Sequence, residues 1–320
     1  MTISDDAFIR IWRRCNGDTN QVCEMTGCKI RNVFARRRRI EQKYDISLTA
    51  QKAQIEERTQ TRIKHHEAKV DFKIKNGVVM VGGDCHYWPG PATTAHRGFV
   101  SLCRQLKPQA VVMNGDVFDG SSISRFPSIG WQSVPEVRQE LDAVDERLKE
   151  IEEAARGAKR FWTAGNHDLR FESRLATLAP QYRGIDGIEL HYHFPQWTPC
   201  WLVDVNDTDT IIRHREKGGI HAAYRNTLEG GVTMVTGHDH IADVKPYKDY
   251  KGKTRYGVRA GMMADSASDR QFRDYLEGRQ PNWHSGFCVL TWKDGELLMP
   301  ELCLKWDDNH VQFRGEVLKV

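Results

Sequence analysis

The chain has no run of 18 or more apolar residues, so no membrane-spanning helix is expected. Its first residues, MTISDDAFIR, open with two acids and lack the apolar stretch of a signal peptide, so export is not expected. Eight cysteines form no CxxC pair and no even framework. Reduced, mostly buried thiols in a cytoplasm are the expectation. A zinc site from Cys15, Cys23 and Cys28 is not expected, because their spacing is wrong for one. No internal repeat or low-complexity tract is present. These absences leave aside the membrane, disulfide-scaffold and fibrous classes.

What is present is enough chain, 320 residues, for one small and one large unit. The net charge of +4 is unevenly spread. Residues 1–70 carry 15 Lys and Arg against 9 Asp and Glu, and the remainder carries 32 against 34. A basic front of this kind suits an anionic partner. Residues 5–15 read as a helix with Phe8, Ile9 and Trp12 on one face. Thr19 is the expected N-cap of a short second helix. KIRNVFARRRRIEQKY reads as a third, with Ile30, Val33, Phe34 and Ile40 turned inward. The order of helices resembles a helix-turn-helix, with Cys23, Gly27 and Val33 at its key spacings. Lys29, Arg31, Arg36, Arg37, Arg38 and Arg39 would then neutralise phosphates of DNA. The bland alternative is a three-helix bundle with a solvated arginine face. Residues 45–68 read as a helical linker.

From residue 69 the pattern changes. VDFKIK, Asn76-Gly77 and VVMV carry a β-hairpin signal. Strands and helices then alternate: helix at TTAHRGFVSLCRQL, strand at QAVVMNGD, a long amphipathic helix at VPEVRQELDAVDERLKEIEEAARG, strand at KRFWTAGN. A helix at LRFESRLATLA, a strand at DTIIRH, a helix at IHAAYRNTLEG and a strand at VTMVTG complete the run. The last sixty residues read as antiparallel β. The class is α/β.

Five of the strands end in the same kind of chemistry. VVMV is followed by Gly83-Asp84-Cys85-His86, and AVVM by Gly115-Asp116-Val117-Phe118-Asp119. RFWTA is followed by Gly165-Asn166-His167-Asp168, TII by His214, and VTMV by Gly237-His238-Asp239-His240. A single histidine of this kind is more often structural than not. Five such strand ends converge on one edge of an open α/β sheet, where sites are built. Asp, Asn and His without Cys suit Mn, Fe or Zn at a working site. There are more donors than one ion needs, which points to two ions sharing a carboxylate.

The blocks D-x-H, GDxxD, GNH(D/E), H and GHxH, in this order, resemble the calcineurin-like metallophosphoesterase superfamily. The likeness covers roughly residues 69–265. It implies a four-layer αββα metallophosphoesterase sandwich over residues 69–320. Before it would stand a small all-α helix-turn-helix-like domain (1–44) and the linker (45–68). It implies two divalent metal ions, manganese first, with iron, zinc or magnesium as alternatives. Asp84, His86 and His240 would hold one ion, and Asn166, His214 and His238 the other, with Asp116 bridging. In the fourth block the family has His-Gly and this chain has His214-Arg215. His214 is favoured as the ligand over His221, which is left a supporting role. The resemblance makes His167 the general acid at the leaving oxygen, oriented by Asp119, with Asp168 as runner-up for that orienting role or a simple helix N-terminal acid.

The phosphoprotein branch reads GDxxDRG, and this chain has Gly120-Ser121 after Asp119, so its substrate arginine is missing. The basic front favours DNA as both substrate and docking partner. Tyr87, Trp88 and Trp131 would stack on bases or pack the rim. Arg125, Arg170 and His221 are candidates to contact substrate. The expected activity is a metal-dependent phosphodiesterase, a DNA nuclease. The alternatives are a phosphomonoesterase acting on a small molecule or phosphoprotein, and a DNA-binding protein with a regulatory phosphoesterase domain. The arrangement looks like proteins of bacteriophages and prophages, with the cytoplasm of a bacterial or phage-infected cell as the expected place. No membrane partner is expected, and a homodimer is compatible with the sequence.

Overall fold

The computed structural model describes residues 3–15, 17–46, 48, 66–126, 133–207, 209–265 and 281–320. The chain divides into two compact units, residues 1–63 and 64–320. Most of the expected linker, residues 49–65, lies outside the described residues, as does Trp131.

The first unit holds α1 (Asp5–Arg14), α2 (Thr19–Thr26) and α3 (Ile30–Tyr44). Phe8 and Trp12 of α1 pack with Val22, Val33 and Ile40. The cap of α2 is Asp18 rather than Thr19: its carboxylate accepts from Asn20 N at 2.9 Å. Asp outranks Thr as a cap, and the helix begins one residue earlier for it. Gly27 ends α2 at φ +65, a backbone state that favours glycine. The inner face of α3 also differs from expectation. Val33 and Ile40 are buried, whereas Ile30 and Phe34 are exposed. Arg36 and Arg37 fill the turn between the two buried residues. Their guanidinium carbons lie 5.3 Å and 5.4 Å from the rings of Phe8 and Trp12, so guanidiniums cover these rings where Phe34 was expected to pack. Cys15, Cys23 and Cys28 pack with this core as apolar groups.

The second unit is built on two sheets. One has the order β1-β6-β7-β8-β10-β9, with β1 Val70–Phe72, β6 Val203–Val205, β7 Thr210–Ile212, β8 Thr233–Thr236, β9 Ala242–Lys248 and β10 Thr254–Ala260. The other runs β15-β14-β13-β11-β2-β3-β4-β5, with β12 on β11. Here β2 is Gly77–Gly82, β3 Ala110–Met113, β4 Lys159–Thr163, β5 Thr198–Cys200 and β11 Gly286–Lys293. β12 (Glu296–Leu297), β13 (Glu301–Asp307), β14 (His310–Phe313) and β15 (Glu316–Lys319) complete it.

Side-chain alternation assigns the layers. Val79 and Val81 of β2, Val112 of β3, Phe161 of β4 and Leu290 of β11 join Val205, Ile212, Val235 and Val258 of the other sheet in one core. The residues between them, Met80, Val111, Met113, Trp162 and Val289, point the other way. They pack with residues of α4 (Thr94–Leu106) and α5 (Val137–Ala154) and with Phe171 of α6 (Asp168–Leu178). On the first sheet, α7 (Ala222–Gly230) lies against β8, β9 and β10. Helix, sheet, sheet, helix is the αββα order. Strands buried on both faces read as unbroken apolar runs for this reason.

The expected hairpin at Asn76-Gly77 does not form. β1 pairs in parallel with β6 in one sheet, while β2 pairs with β3 and β11 in the other. The chain crosses between sheets at 73–76, and Asn76 Oδ1 accepts from Asp294 N instead of closing a two-strand turn. The antiparallel C-terminal part is as expected: β13 to β15 are a meander.

Candidate metal centre

β2, β3 and β4 run parallel in one sheet, and β7 and β8 run parallel in the other. Their C-terminal ends therefore lie on one edge, and all five chemical blocks start there. Asp84 and Asp116 are almost fully buried, as are His86, His214 and His240. Two donor groups result. Asp84, His86 and His240 offer ligand atoms within 4.8 Å of one another, and so do Asp116, His214 and His238. Asp84 Oδ1 lies 3.2 Å from His240 Nε2, and Asp116 Oδ2 lies 3.2 Å from His214 Nε2. The ring of His221 is not among these groups. That residue is the exposed N-cap of α7.

The backbone bends sharply to do this. Asp84, His86, Asp116, His238 and His240 all have positive φ, between 44° and 74°. Asp and His tolerate this region better than bulkier side chains, at ~1–3 kcal/mol each when the surroundings enforce it. Gly165 allows the closest approach: a Cβ there would collide with the backbone N and Oδ1 of Asp116.

The orientation of each imidazole is fixed by a second partner. His214 Nδ1 donates to Asn114 O at 2.7 Å, so Nε2 is the atom turned to Asp116. Asn114 is itself buried, tied to Thr163 Oγ1 at 2.8 Å and Arg213 O at 3.1 Å. His86 Nδ1 donates to Asp119 Oδ1 at 2.9 Å. His167 Nδ1 addresses the same oxygen at 2.8 Å, and the two rings meet edge to face at 4.5 Å. Asp119 thus orients His86 as well as His167, and it also accepts from Trp88 Nε1 at 3.3 Å and from Ser121 Oγ.

The donor set fits divalent cations. Asn166 Oδ1 is buried and has no hydrogen-bond partner among the described residues, as expected of an oxygen reserved for a cation. Burial alone would push His214 down, but the Asp116 carboxylate beside it prevails and raises it to about 10. Burial opposes the charge of Asp116 too, yet the facing His214 holds it far below the usual carboxylate range. A cation bound there takes the place of those protons.

The family model for calcineurin-like phosphoesterases matches residues 77–286. The chain belongs to that family. Over 233 residues it is 26% identical to the Gene 54 protein of Mycobacterium phage L5, covering 64% of this chain and 85% of that protein. The Gene 54 protein of Mycobacterium phage D29 is 25% identical with the same coverage. Among solved structures, wild-type Vps29 of Entamoeba histolytica complexed with Zn2+ aligns with a TM-score of 0.39 and 14% identity. That alignment covers 76% of this chain and 98% of the other.

In this calcineurin-like phosphoesterase, Asp168 is neither an orienter of His167 nor a plain helix-terminal acid. Its buried carboxylate accepts from the backbone N of Asp116, Val117, Phe118 and Gly165 and from Trp162 Nε1, all at 2.9–3.0 Å. It ties the GDxxD loop to the GNHD loop, and the fourth letter of GNHD was the signal for it. Burial, then the Asp116 charge, pushes its carboxyl up to about 6, against the pull of the N–H donors. Glu140 of α5, fully buried, takes Gly120 N at 2.6 Å and Ser121 N at 3.2 Å. No sequence signal marked it, since a Glu inside an amphipathic helix reads as solvated.

The candidates for substrate contact separate. Arg170 reaches the site: Nη1 donates to Asp119 O at 2.9 Å, and Nη2 lies 3.0 Å from His167 Nε2. The face of His167 expected to meet the leaving oxygen is therefore covered by a guanidinium. Arg125 is exposed and stacks on Phe126, 5.0 Å from its centroid. Tyr87 is core rather than a base platform, buried with its hydroxyl 2.8 Å from His96 Nδ1. No helix among the described residues is long and apolar enough to cross a membrane.

Proposed function

We propose that the chain is a two-metal phosphodiesterase acting on DNA, with manganese as the working ion. The observation that carries the hydrolytic reading is the pair of donor triads set side by side at one sheet edge. Asp84, His86 and His240 would hold one cation, and Asn166, His214 and His238 the other, with Asp116 between them. When bound, the pair supplies charge stabilisation for phosphate oxygens and an activated water at neutral pH.

The chain's own groups do the rest. Asp119 keeps the Nδ1 proton of His167. Burial opposes an imidazolium at His167, but the Asp119 and Asp116 carboxylates outweigh it and raise its pKa, with Arg170 opposing them. An arriving phosphate competes for Arg170 and draws the guanidinium away from Nε2. His167 Nε2, freed of the Arg170 N–H, takes up a proton from solvent to become the imidazolium that the two carboxylates favour, and it gives that proton to the leaving oxygen.

Two features favour a diester in DNA over a phosphoprotein. Gly120-Ser121 stand where that branch carries an arginine, and their N–H groups are taken by Glu140. In the N-terminal unit, Lys29, Arg31, Arg38 and Arg39 of the α3 region are exposed. α2 and α3 are joined by a three-residue turn at Gly27, the spacing of a helix-turn-helix. Arg36 and Arg37 are removed from the expected phosphate-binding set. Arg36 pairs with Asp5 and Ile3 O, and Arg37 with Glu41. The monoesterase alternative draws on Arg170, a guanidinium suited to a terminal phosphate.

The test compares bis-aryl with mono-aryl phosphate, and single- with double-stranded DNA, using the full chain and Mn2+. Preference for the diester together with DNA cleavage is expected. Preference for the monoester with intact DNA would overturn the reading.

A further inference from the structure

Beside the second donor triad lies a small open cleft of about 80 Å³. Its inner wall is Asn166 and His214, two of the cation-holding side chains. One flank is apolar: Ala164, Leu169 and the ring of Trp201. The other flank is cationic: Arg213 and Arg215. Three strand ends build it. β4 and β5 pair, with Ala164 N donating to Cys200 O at 2.8 Å, and this sets Trp201 beside Ala164. β7 ends at Ile212 and delivers Arg213, His214 and Arg215 together.

Each flank has features that a bare phosphate does not call for. Trp201 is 45% exposed. It is nevertheless held in place: its backbone N donates to Glu67 O at 2.9 Å, and its ring leans on His66 at 5.6 Å. Arg215 stands where the family pattern has glycine. Arg213 is half-committed: Nη1 pairs with Glu216 at 2.8 Å, while its Nε is buried without a hydrogen-bond partner among the described residues. An apolar ring and two guanidiniums lining one cleft with two cation-holding side chains are complementary to a flat base joined to an anion. A phosphoserine side chain would leave the ring unused, and so would a small aliphatic phosphate.

We propose that this cleft seats the nucleotide adjoining the scissile bond, with its base on the face of Trp201 and its phosphate on Arg213 and Arg215. The proposal rests on the DNA phosphodiesterase reading of the same site and names the unit it would grip.

The test is equilibrium binding to the full-length protein stripped of metal, so that no turnover enters the readout. The probes are dAMP, deoxyribose 5-phosphate and inorganic phosphate. dAMP is expected to bind ~5- to 150-fold tighter than deoxyribose 5-phosphate, the range of one base–aromatic stack. Trp201→Ala should abolish that margin without changing the binding of inorganic phosphate, and Trp201→Phe should keep most of it. Arg215→Ala should weaken all three probes by ~2- to 5-fold, the scale of an exposed ion pair. No margin in the unmodified protein, or a margin that survives in Trp201→Ala, overturns the proposal. Cleavage of DNA is scored separately with Mn2+. DNA cleaved without a dAMP margin removes the cleft assignment alone. A dAMP margin without DNA cleavage supports the cleft as a nucleotide seat and removes the DNA nuclease reading.

Discussion

Replacing Asp168 with asparagine should unfasten the metal centre without touching a cation-holding side chain. Oδ2 accepts from Asp116 N, Gly165 N and Trp162 Nε1, and Oδ1 accepts from Val117 N and Phe118 N. Asparagine offers one acceptor oxygen, and its amide must face the donors of the other. At least two N–H groups therefore lose a charged acceptor inside the fold. Each such bond is worth ~1.5–3 kcal/mol, which makes the loss ~3–6 kcal/mol. That is a large share of the ~5–15 kcal/mol that holds a typical protein folded. Converted at ~2–4 °C per kcal/mol, the melting point should fall by ~6–24 °C. The measurement is urea and thermal unfolding at pH 7 without metal, because bound cations stabilise the native state and mask the loss. Tryptophan fluorescence suits it, since eight of the nine tryptophans lie beyond residue 64. Metal uptake provides the second readout, and it should weaken because Asp116 sits on the loosened loop. A cost below ~1 kcal/mol with full metal uptake would show that the five N–H contacts do not anchor the loop.

Three further outcomes follow from the same geometry. Gly165→Ala should cut cation uptake while leaving helix content unchanged, since the added methyl has nowhere to go but into Asp116; normal uptake by metal analysis would contradict the packing described. Glu140 is held up to about 8, first by burial and then by the Asp119 charge, against 4.5 when unfolded. The native state therefore binds the extra proton between those values, and its stability should fall as pH rises from about 5 to 8. Glu140→Gln lacks this slope, so urea titrations should show the gap between variant and wild type moving in the variant's favour by up to ~5 kcal/mol over that range; a constant gap refutes it. In the N-terminal unit, joint replacement of Lys29, Arg31, Arg38 and Arg39 by alanine should reduce DNA retention and its salt slope by ~3–4 units of log–log slope with little loss of stability. Arg36→Ala should instead destabilise the unit, and the opposite pattern in gel shifts and melts would invert the assignment.

The five chemical blocks were legible because each follows an apolar run buried on both faces, and such runs stand out in composition. Their order and residue types were enough to name the family. Single-sequence reading failed where two segments of similar local character had different destinations. The Asn76-Gly77 turn looks like a hairpin, yet β1 and β2 enter different sheets, because β1 finds its partner in β6 and β2 finds its partners in β3 and β11. Ile30 and Phe34 look like inner-face residues, yet the guanidiniums of Arg36 and Arg37 cover Phe8 and Trp12 instead. Periodicity records apolarity and takes no account of a charged group that packs on an aromatic ring.

By itself the sequence determined the kind of chemistry, because ligand identity is a local property of five short blocks. It also determined the α/β class, because two-sided burial imposes its own composition. Tertiary structure alone decided which side chains support that chemistry. Asp168 gathers five N–H groups from two separate segments, Glu140 reaches across from a helix, and Asp119 serves two imidazoles at once. Trp201, Arg213 and Arg215 meet only where three strand ends come together. Such contacts join groups far apart in the chain, and their worth comes from burial, which removes water as a competing partner and which no local pattern records.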